Sequence, residues 1–364
     1  MIRLRICLFL DSFESGGIES FLAGVILHLP KDLEADIVAK QIFPSVFTDR
    51  LLERGVRFLE LSGRAHSLLN TRIFKNILKN GNYDAVHLNI FQAFDLRYAK
   101  IAKREGIPIR IAHAHGAGLR KSAALPIKMF IHRLSRHLAK HATVTLACSP
   151  QASKFLFGKE ADKYIKNGID TRDFVYSEEK RRKIRESLAV GNRPIIGQVA
   201  RLSSEKNQEF SLGVLREILT KRPDAVLLLV GEGDDREMLR ELAARLNVEK
   251  SVIFYGTTSD VGELYSAMDI FLFPSHFEGF GIAAIEAQCA GLAVICSCGV
   301  PSEAIICENA VRLPLADGEK KWADKVLEML AFSVERKSRC KEIIKAGYDI
   351  KSTAHEMAKY YENP

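Results

Sequence analysis

The chain has 364 residues, 47% hydrophobic and 27% charged, the balance of a globular protein rather than a low-complexity one. At roughly 100–200 residues per domain the length predicts two domains, and no apolar run reaches the roughly 18–20 residues that span a bilayer. The net charge of +8 is uneven: 26 basic residues stand against 15 acidic ones through Asp170, and 27 against 30 beyond it. The first part therefore predicts a polyanionic neighbour, for which a membrane surface and a nucleic acid both qualify.

The opening "MIRLRICLFLDSFESGG" meets Asp11 directly after its apolar stretch and lacks a small-residue cleavage site. It predicts a buried first strand, not a signal peptide. The Gly16-Gly17 loop follows, and "IESFLAGVILHL" has helical spacing. "ADIVAKQIF", "YDAVHLNI", "IPIRIAHAH" and "VTLACS" are further strands separated by periodic segments. Strands alternating with helices predict parallel βαβ units in a doubly wound sheet. Residues 118–141 carry Arg120, Lys121, Lys128, Arg133, Arg136 and Lys140 and no acid, interleaved with Ile127, Phe130, Ile131 and Leu134. This is a basic amphipathic helix, either lying on anionic lipid or packed on its own sheet with a solvated basic face.

The polar stretch "NGIDTRDFVYSEEKRRKIRESLAVGNRP" breaks the pattern and reads as a linker. Beyond it the theme repeats, with strands "PIIGQVAR", "AVLLLVGEG", "SVIFYGT", "DIFLFPS" and "AVICS". Helical periods lie between them, and the strands are apolar on both faces, as in sheets covered on both sides. The fold class expected is α/β: two Rossmann-like, doubly wound parallel-sheet domains facing one another across a cleft. The seven cysteines are odd in number, mostly embedded in apolar segments and without zinc or C-x-x-C spacing. They read as reduced thiols of a cytoplasmic protein.

In open parallel sheets ligands bind beyond the carboxyl ends of strands, where helix N-termini point. Four loops qualify. Gly16-Gly17 lets backbone N–H groups approach a phosphate, or forms a plain tight turn. "GQVARLSSEKNQEF" holds Arg201 and Lys206, a fork and a point charge suited to a diphosphate, though a solvated loop is the bland reading. "HFEGFGIAAIEAQCAGLAVICS" places Glu278 in a strand-to-helix loop and Glu286 about one turn inside the helix. Gly279 and Gly281 bare the helix entrance between them. Each carboxylate can accept from two vicinal hydroxyls, and an unpaired acid on an apolar helix face is otherwise costly. Residues 251–311 hold no Lys or Arg, so an anion held there must draw cations from elsewhere. "RIAHAHGAGLRKS" puts His113 and His115 on one face of a strand end, where hydrogen bonding suits them better than metal.

Together these loops resemble the retaining glycosyltransferases of family four, of GT-B fold, and more closely the bacterial exopolysaccharide and capsule members. The family's E-x7-E is Glu278-Gly-Phe-Gly-Ile-Ala-Ala-Ile-Glu286, preceded by "SDVGELYSAMDIFLFPSH". "SGGIESF", "ARLSSEKNQEF", "LLLVGEGDDREML" and "NGID" follow the family in order, and "PIRIAHAH" is similar to the capsule subset. The resemblance implies an acceptor-side domain over 1–170, a nucleotide-sugar domain over 171–345, and a C-terminal helix at about 346–364 packing back on the first. It implies that Glu286 binds the ribose diol and that Glu278 contacts the donor sugar or its phosphate-proximal edge. Arg201 and Lys206 would neutralise the diphosphate, with N–H groups at Gly17 and the Gly279–Gly281 loop assisting. Gly16, Phe280 and Ile282 would line the substrate, His115 would meet the sugar's acceptor-side edge, and His113 would assist it.

The implied reaction moves a sugar, with UDP-sugar favoured, to an acceptor hydroxyl with retention. The expected acceptor is a lipid-linked glycan of bacterial surface polysaccharide synthesis. No cofactor or metal is expected, in keeping with the lack of D-x-D, and the place expected is cytoplasmic, peripheral on the inner face of the plasma membrane. A nucleotide-sugar epimerase of the same fold and an inactive nucleotide-sugar-binding protein are the alternatives. G-x-G-x-x-G with its later acid is absent, against a dinucleotide oxidoreductase, and nucleic-acid binding rests on charge alone.

Overall fold

The computed structural model describes residues 4–63, 66–118, 125–332 and 336–362. Two compact units divide the chain: residues through Gly168 together with those from Ile350 on, and Ile169–Asp349.

The first unit holds strands β1 (Leu4–Phe13), β2 (Leu33–Ile42), β3 (Arg57–Glu60), β4 (Ala85–Ile90), β5 (Ile109–Ala114), β6 (Val144–Ala147) and β7 (Lys163–Tyr164). They form one parallel sheet in the order β3-β2-β1-β4-β5-β6-β7. Every residue of β4 is buried, as expected of a central strand covered on both faces. The final helix, Ile350–Glu362, belongs to this unit and packs on the first helix, Gly17–His28. Gly24 makes that contact possible: a Cβ there would lie 2.9 Å from Ile350 Cγ1. Thr353 Oγ1 donates to the Lys166 carbonyl, and the Tyr361 hydroxyl meets His87 Nδ1 at 2.8 Å.

The second unit holds β8 (Ile195–Val199), β9 (Val226–Val230), β10 (Val252–Gly256), β11 (Ile270–Phe273), β12 (Ala293–Ser297) and β13 (Ala310–Leu313), parallel in the order β10-β9-β8-β11-β12-β13. Its core gathers Leu227, Leu229, Leu272 and Ile295 with Leu215 and the buried Trp322 of flanking helices. In each sheet the strand order reverses beside the first strand, between β1 and β4 and between β8 and β11. Those reversals are the switch points at which crevices open in such sheets.

The stretch read as a linker is only partly so. From Glu178 to Ser187 it is a helix of the second unit, capped by Ser177, whose hydroxyl accepts from the Lys180 N–H. Arg181 and Arg185 anchor this helix by donating to Asp269, which also accepts from the Ile195 N–H. Two of its arginines are used inward, so polarity concealed a structural helix.

Candidate functional site

At the switch point of the second unit, the loops after β8 and β11 are stapled together. Asn207, left-handed at φ 57°, donates from Nδ2 to the Pro274 carbonyl, and the His276 N–H donates to the Glu205 carbonyl. The Gln198 amide, held by Ser211, donates to the Lys206 carbonyl. These backbone ties deliver Lys206 to the acid that sequence separates from it by 72 positions: Nζ lies 2.6 and 2.8 Å from the two carboxylate oxygens of Glu278. The ammonium also sits 5.8 Å from the centre of the Phe273 ring. The Glu278 side chain is 9% exposed and that of Lys206 26%, so the pair is shielded on the acid's side and open on the cation's. Arg201, half-buried, lies on the same loop as Lys206, and its carbonyl accepts from Gln208.

Gly281 caps the helix Ile282–Cys289 at φ 96°, a conformation that favours glycine, and brings no capping side chain to the first N–H groups. Glu286, one turn in, is buried and accepts from the Tyr265 hydroxyl at 2.8 Å. Burial pushes its carboxyl up to about 7, Tyr265 draws it back, and the charge of Asp173 adds to the rise. Phe280 is placed differently from the sequence expectation: its ring is buried and stacks on Tyr348 at 5.0 Å. The aromatic therefore anchors the loop, and Gly279 and Ile282 remain at its half-buried rim.

In the first unit, Gly16 precedes the helix Gly17–His28 in extended backbone that any residue adopts. A Cβ there would meet only the end of the flexible Glu19 side chain, Oε2 at 2.5 Å. The Glu19 carboxyl thus lies against the Gly16-Gly17 entrance. His113 and His115 close the β5 end. His113 Nδ1 meets His87 Nε2 at 3.2 Å, and His115 Nε2 meets Asn89 Oδ1 at 2.9 Å. The two rings lie 4.0 Å apart with Phe21 against both. Burial depresses His87 and His115 to about 3 and His113 well below the usual imidazole range. The three are neutral at neutral pH and act as hydrogen-bonding groups, not acids.

Sequence reading missed Tyr265, Asn89, His87 and Tyr361. Only Asn89 and His87 carried a signal, the period-two polar pair in "VHLNI" within an otherwise apolar strand.

The basic stretch also has an unexpected orientation. The helix Leu125–Ser135 is pinned by the buried His132, which accepts at Nδ1 from the Ala93 N–H and donates from Nε2 to the Phe155 carbonyl. Ile127, Phe130, Ile131 and Leu134, at i, i+3, i+4 and i+7, face solvent, at 65, 64, 42 and 58% exposure. Lys128, Arg133 and Lys140 are exposed beside them; Arg120 and Lys121 lie outside the described residues. Among the described residues no helix is long and apolar enough to cross a membrane.

Comparison with known proteins follows this division. The family described as Glycosyltransferase Family 4 matches residues 15–173, and Glycosyl transferases group 1 matches 179–349. A Bacillus subtilis protein designated glycosyltransferase EpsF is 26% identical over 98% of this chain and 96% of its own. The Escherichia coli UDP-Gal:alpha-D-GlcNAc-diphosphoundecaprenol alpha-1,3-galactosyltransferase is 28% identical over 61% of this chain and 59% of its own. Among solved structures, Anabaena HepE in complex with UDP and glucose superposes with a TM-score of 0.74 at 21% identity, covering 98% of this chain and 95% of that one. The chain belongs to the glycosyltransferases of GT-B fold, its first half matching Family 4 and its second group 1.

Proposed function

We propose that the protein transfers a hexosyl or N-acetylhexosaminyl group, with retention, from a UDP-sugar to a hydroxyl of a lipid-linked glycan. The observation that carries this is the Lys206–Glu278 pair beside the uncapped entrance of the Ile282–Cys289 helix, with Glu286 one turn inside. Glu286 accepts the ribose diol. Lys206, Arg201 and the helix N–H groups take the diphosphate, with no metal assigned a part. As the bond from C1 to the β-phosphate breaks, negative charge grows on the departing oxygen, and a preorganised cation stabilises it at no reorganisation cost. The acceptor oxygen bonds to C1 on the face the phosphate leaves, and its proton passes to a phosphate oxygen. In the first unit the neutral His115 accepts a hydrogen bond from a sugar hydroxyl, with His113 behind it.

The relative named for UDP-Gal and a diphosphoundecaprenol acceptor, and the neighbour holding UDP and glucose, support the choice of donor and acceptor. The outward apolar stripe Ile127, Phe130, Ile131 and Leu134, bordered by Lys128, Arg133 and Lys140, suits an anionic bilayer carrying such an acceptor. A thermal-shift screen of nucleotide sugars, followed by assay of UDP release with a polyprenyl-diphosphate sugar acceptor, tests the reading. Stabilisation by UDP-sugars and acceptor-dependent release are expected. Stabilisation by a nicotinamide dinucleotide and by no nucleotide sugar would overturn it.

A further inference from the structure

Asn89 and His115 are buried to 1 and 5% exposure at the carboxyl ends of adjacent strands, where Asn89 pairs in register with His113. His115 Nε2 lies 2.9 Å from Asn89 Oδ1. The other end of the amide points at the His87 carbonyl, 3.4 Å away. Turning the amide over would set its oxygen against that carbonyl oxygen, so the orientation is determined. An amide oxygen only accepts, so Nε2 carries the ring proton and the neutral ring keeps a lone pair on Nδ1. That Nδ1 is buried and has no hydrogen-bond partner among the described residues. Leaving a buried polar atom unsatisfied carries a desolvation cost, which a donor from outside the chain would recover.

We propose that Asn89 is a positioning residue: it holds His115 in the Nε2–H tautomer, so that Nδ1 accepts a hydrogen bond from a substrate hydroxyl. The inference rests on the glycosyltransferase reading for the identity of that hydroxyl as a sugar's. It adds a selectivity rule, because a fixed acceptor takes a hydroxyl and disfavours a group bearing only lone pairs, such as fluorine, at the same position. The ring is faced by His113 on its own strand and by Phe21 of the Gly17–His28 helix. Behind them stand His87 on β4 and, bonded to it, Tyr361 of the last helix. Burial keeps all three imidazoles uncharged near neutral pH, so no neighbouring cation competes for the lone pair.

Nitrogen-15 NMR of the full chain with labelled histidine reads the tautomer directly, with His115→Gln identifying the signal. Wild type is expected to show a protonated Nε2 and a bare Nδ1. Asn89→Leu, checked for folding by its melting curve, is expected to show mixed tautomers and about tenfold lower kcat/KM, the worth of one hydrogen bond. Asn89→Asp still accepts from Nε2–H, but its charge raises the His115 pKa. As Nδ1 then takes up a proton, the acceptor is lost and a second acidic limb enters the pH–rate profile beside the one that Glu286 gives wild type. A purely structural role would lower the rate equally at every pH. An active wild type whose His115 carries its proton on Nδ1 would overturn the proposal, as would Asn89→Leu at wild-type kcat/KM. Wild type inactive with every nucleotide sugar would instead sink the functional reading, while the tautomer is still read without substrate.

Discussion

Glu286 is an acid whose burial opposes its charge, and the nucleotide reading gives that opposition a use. Its carboxyl, pushed up to about 7 from 4.5, holds a proton in the native state that the unfolded chain has released across that window. Its contribution to stability is therefore full below about pH 4.5 and is lost as pH rises through about 7. Binding runs the other way, because a ribose diol donates to the ionised form. UDP affinity by calorimetry is expected to rise between pH 6 and 8 relative to Glu286→Gln, by up to about tenfold per unit below the midpoint. Tyr265→Phe removes the hydroxyl that draws the pKa down, so the midpoint should move upward. Parallel pH curves for wild type and Glu286→Gln would exclude this role. For the leaving group, Lys206→Ala and Arg201→Ala should each cut turnover roughly 10²–10³-fold. Lys206→Ala also strands the shielded Glu278, so its melting temperature should fall, whereas Lys206→Arg should keep the pair and the stability. Near-normal turnover in both alanine variants would remove these residues from that role.

At the scale of elements, the long apolar strands and the glycine-bounded E-x7-E helix were legible because each obeys its own local pattern. β3, β7 and β13 escaped reading: "RFLE", "KY" and "AVRL" are short, carry charge and lie at or next to sheet edges, where alternation is weak. The Glu178–Ser187 helix escaped for another reason, since it buries arginines against Asp269 rather than an apolar face. Glu278 and Glu286 could be singled out from composition, but their partners could not. Lys206 is 72 positions from Glu278, and Tyr361 is 274 from His87, distances over which no periodicity acts. The last helix provides a test of such long-range packing. Gly24→Leu fills the space that Ile350 occupies and should destabilise the first unit by about 1–3 kcal/mol. Limited proteolysis should then release the Ile350–Glu362 helix early, and unchanged release would show that the contact is dispensable.

For the whole molecule, charge asymmetry pointed to a polyanion without saying which, and the proposed lipid docking rests on the outward apolar stripe of Leu125–Ser135, which a nucleic acid has no comparable apolar surface to meet. Anionic vesicles should co-sediment the protein at low salt, and Ile127→Ser with Phe130→Ser should weaken binding at least tenfold, given roughly 25 cal/mol per Å² of apolar area removed from water. Binding equal to wild type in that double variant would place the docking surface elsewhere. The central claim, retaining sugar transfer, is tested most directly by NMR of the product made from a UDP-sugar and a lipid-linked acceptor. The anomeric configuration of the donor should persist in the new glycosidic bond; an inverted anomer, or an epimerised donor with no transfer, would contradict retaining transfer.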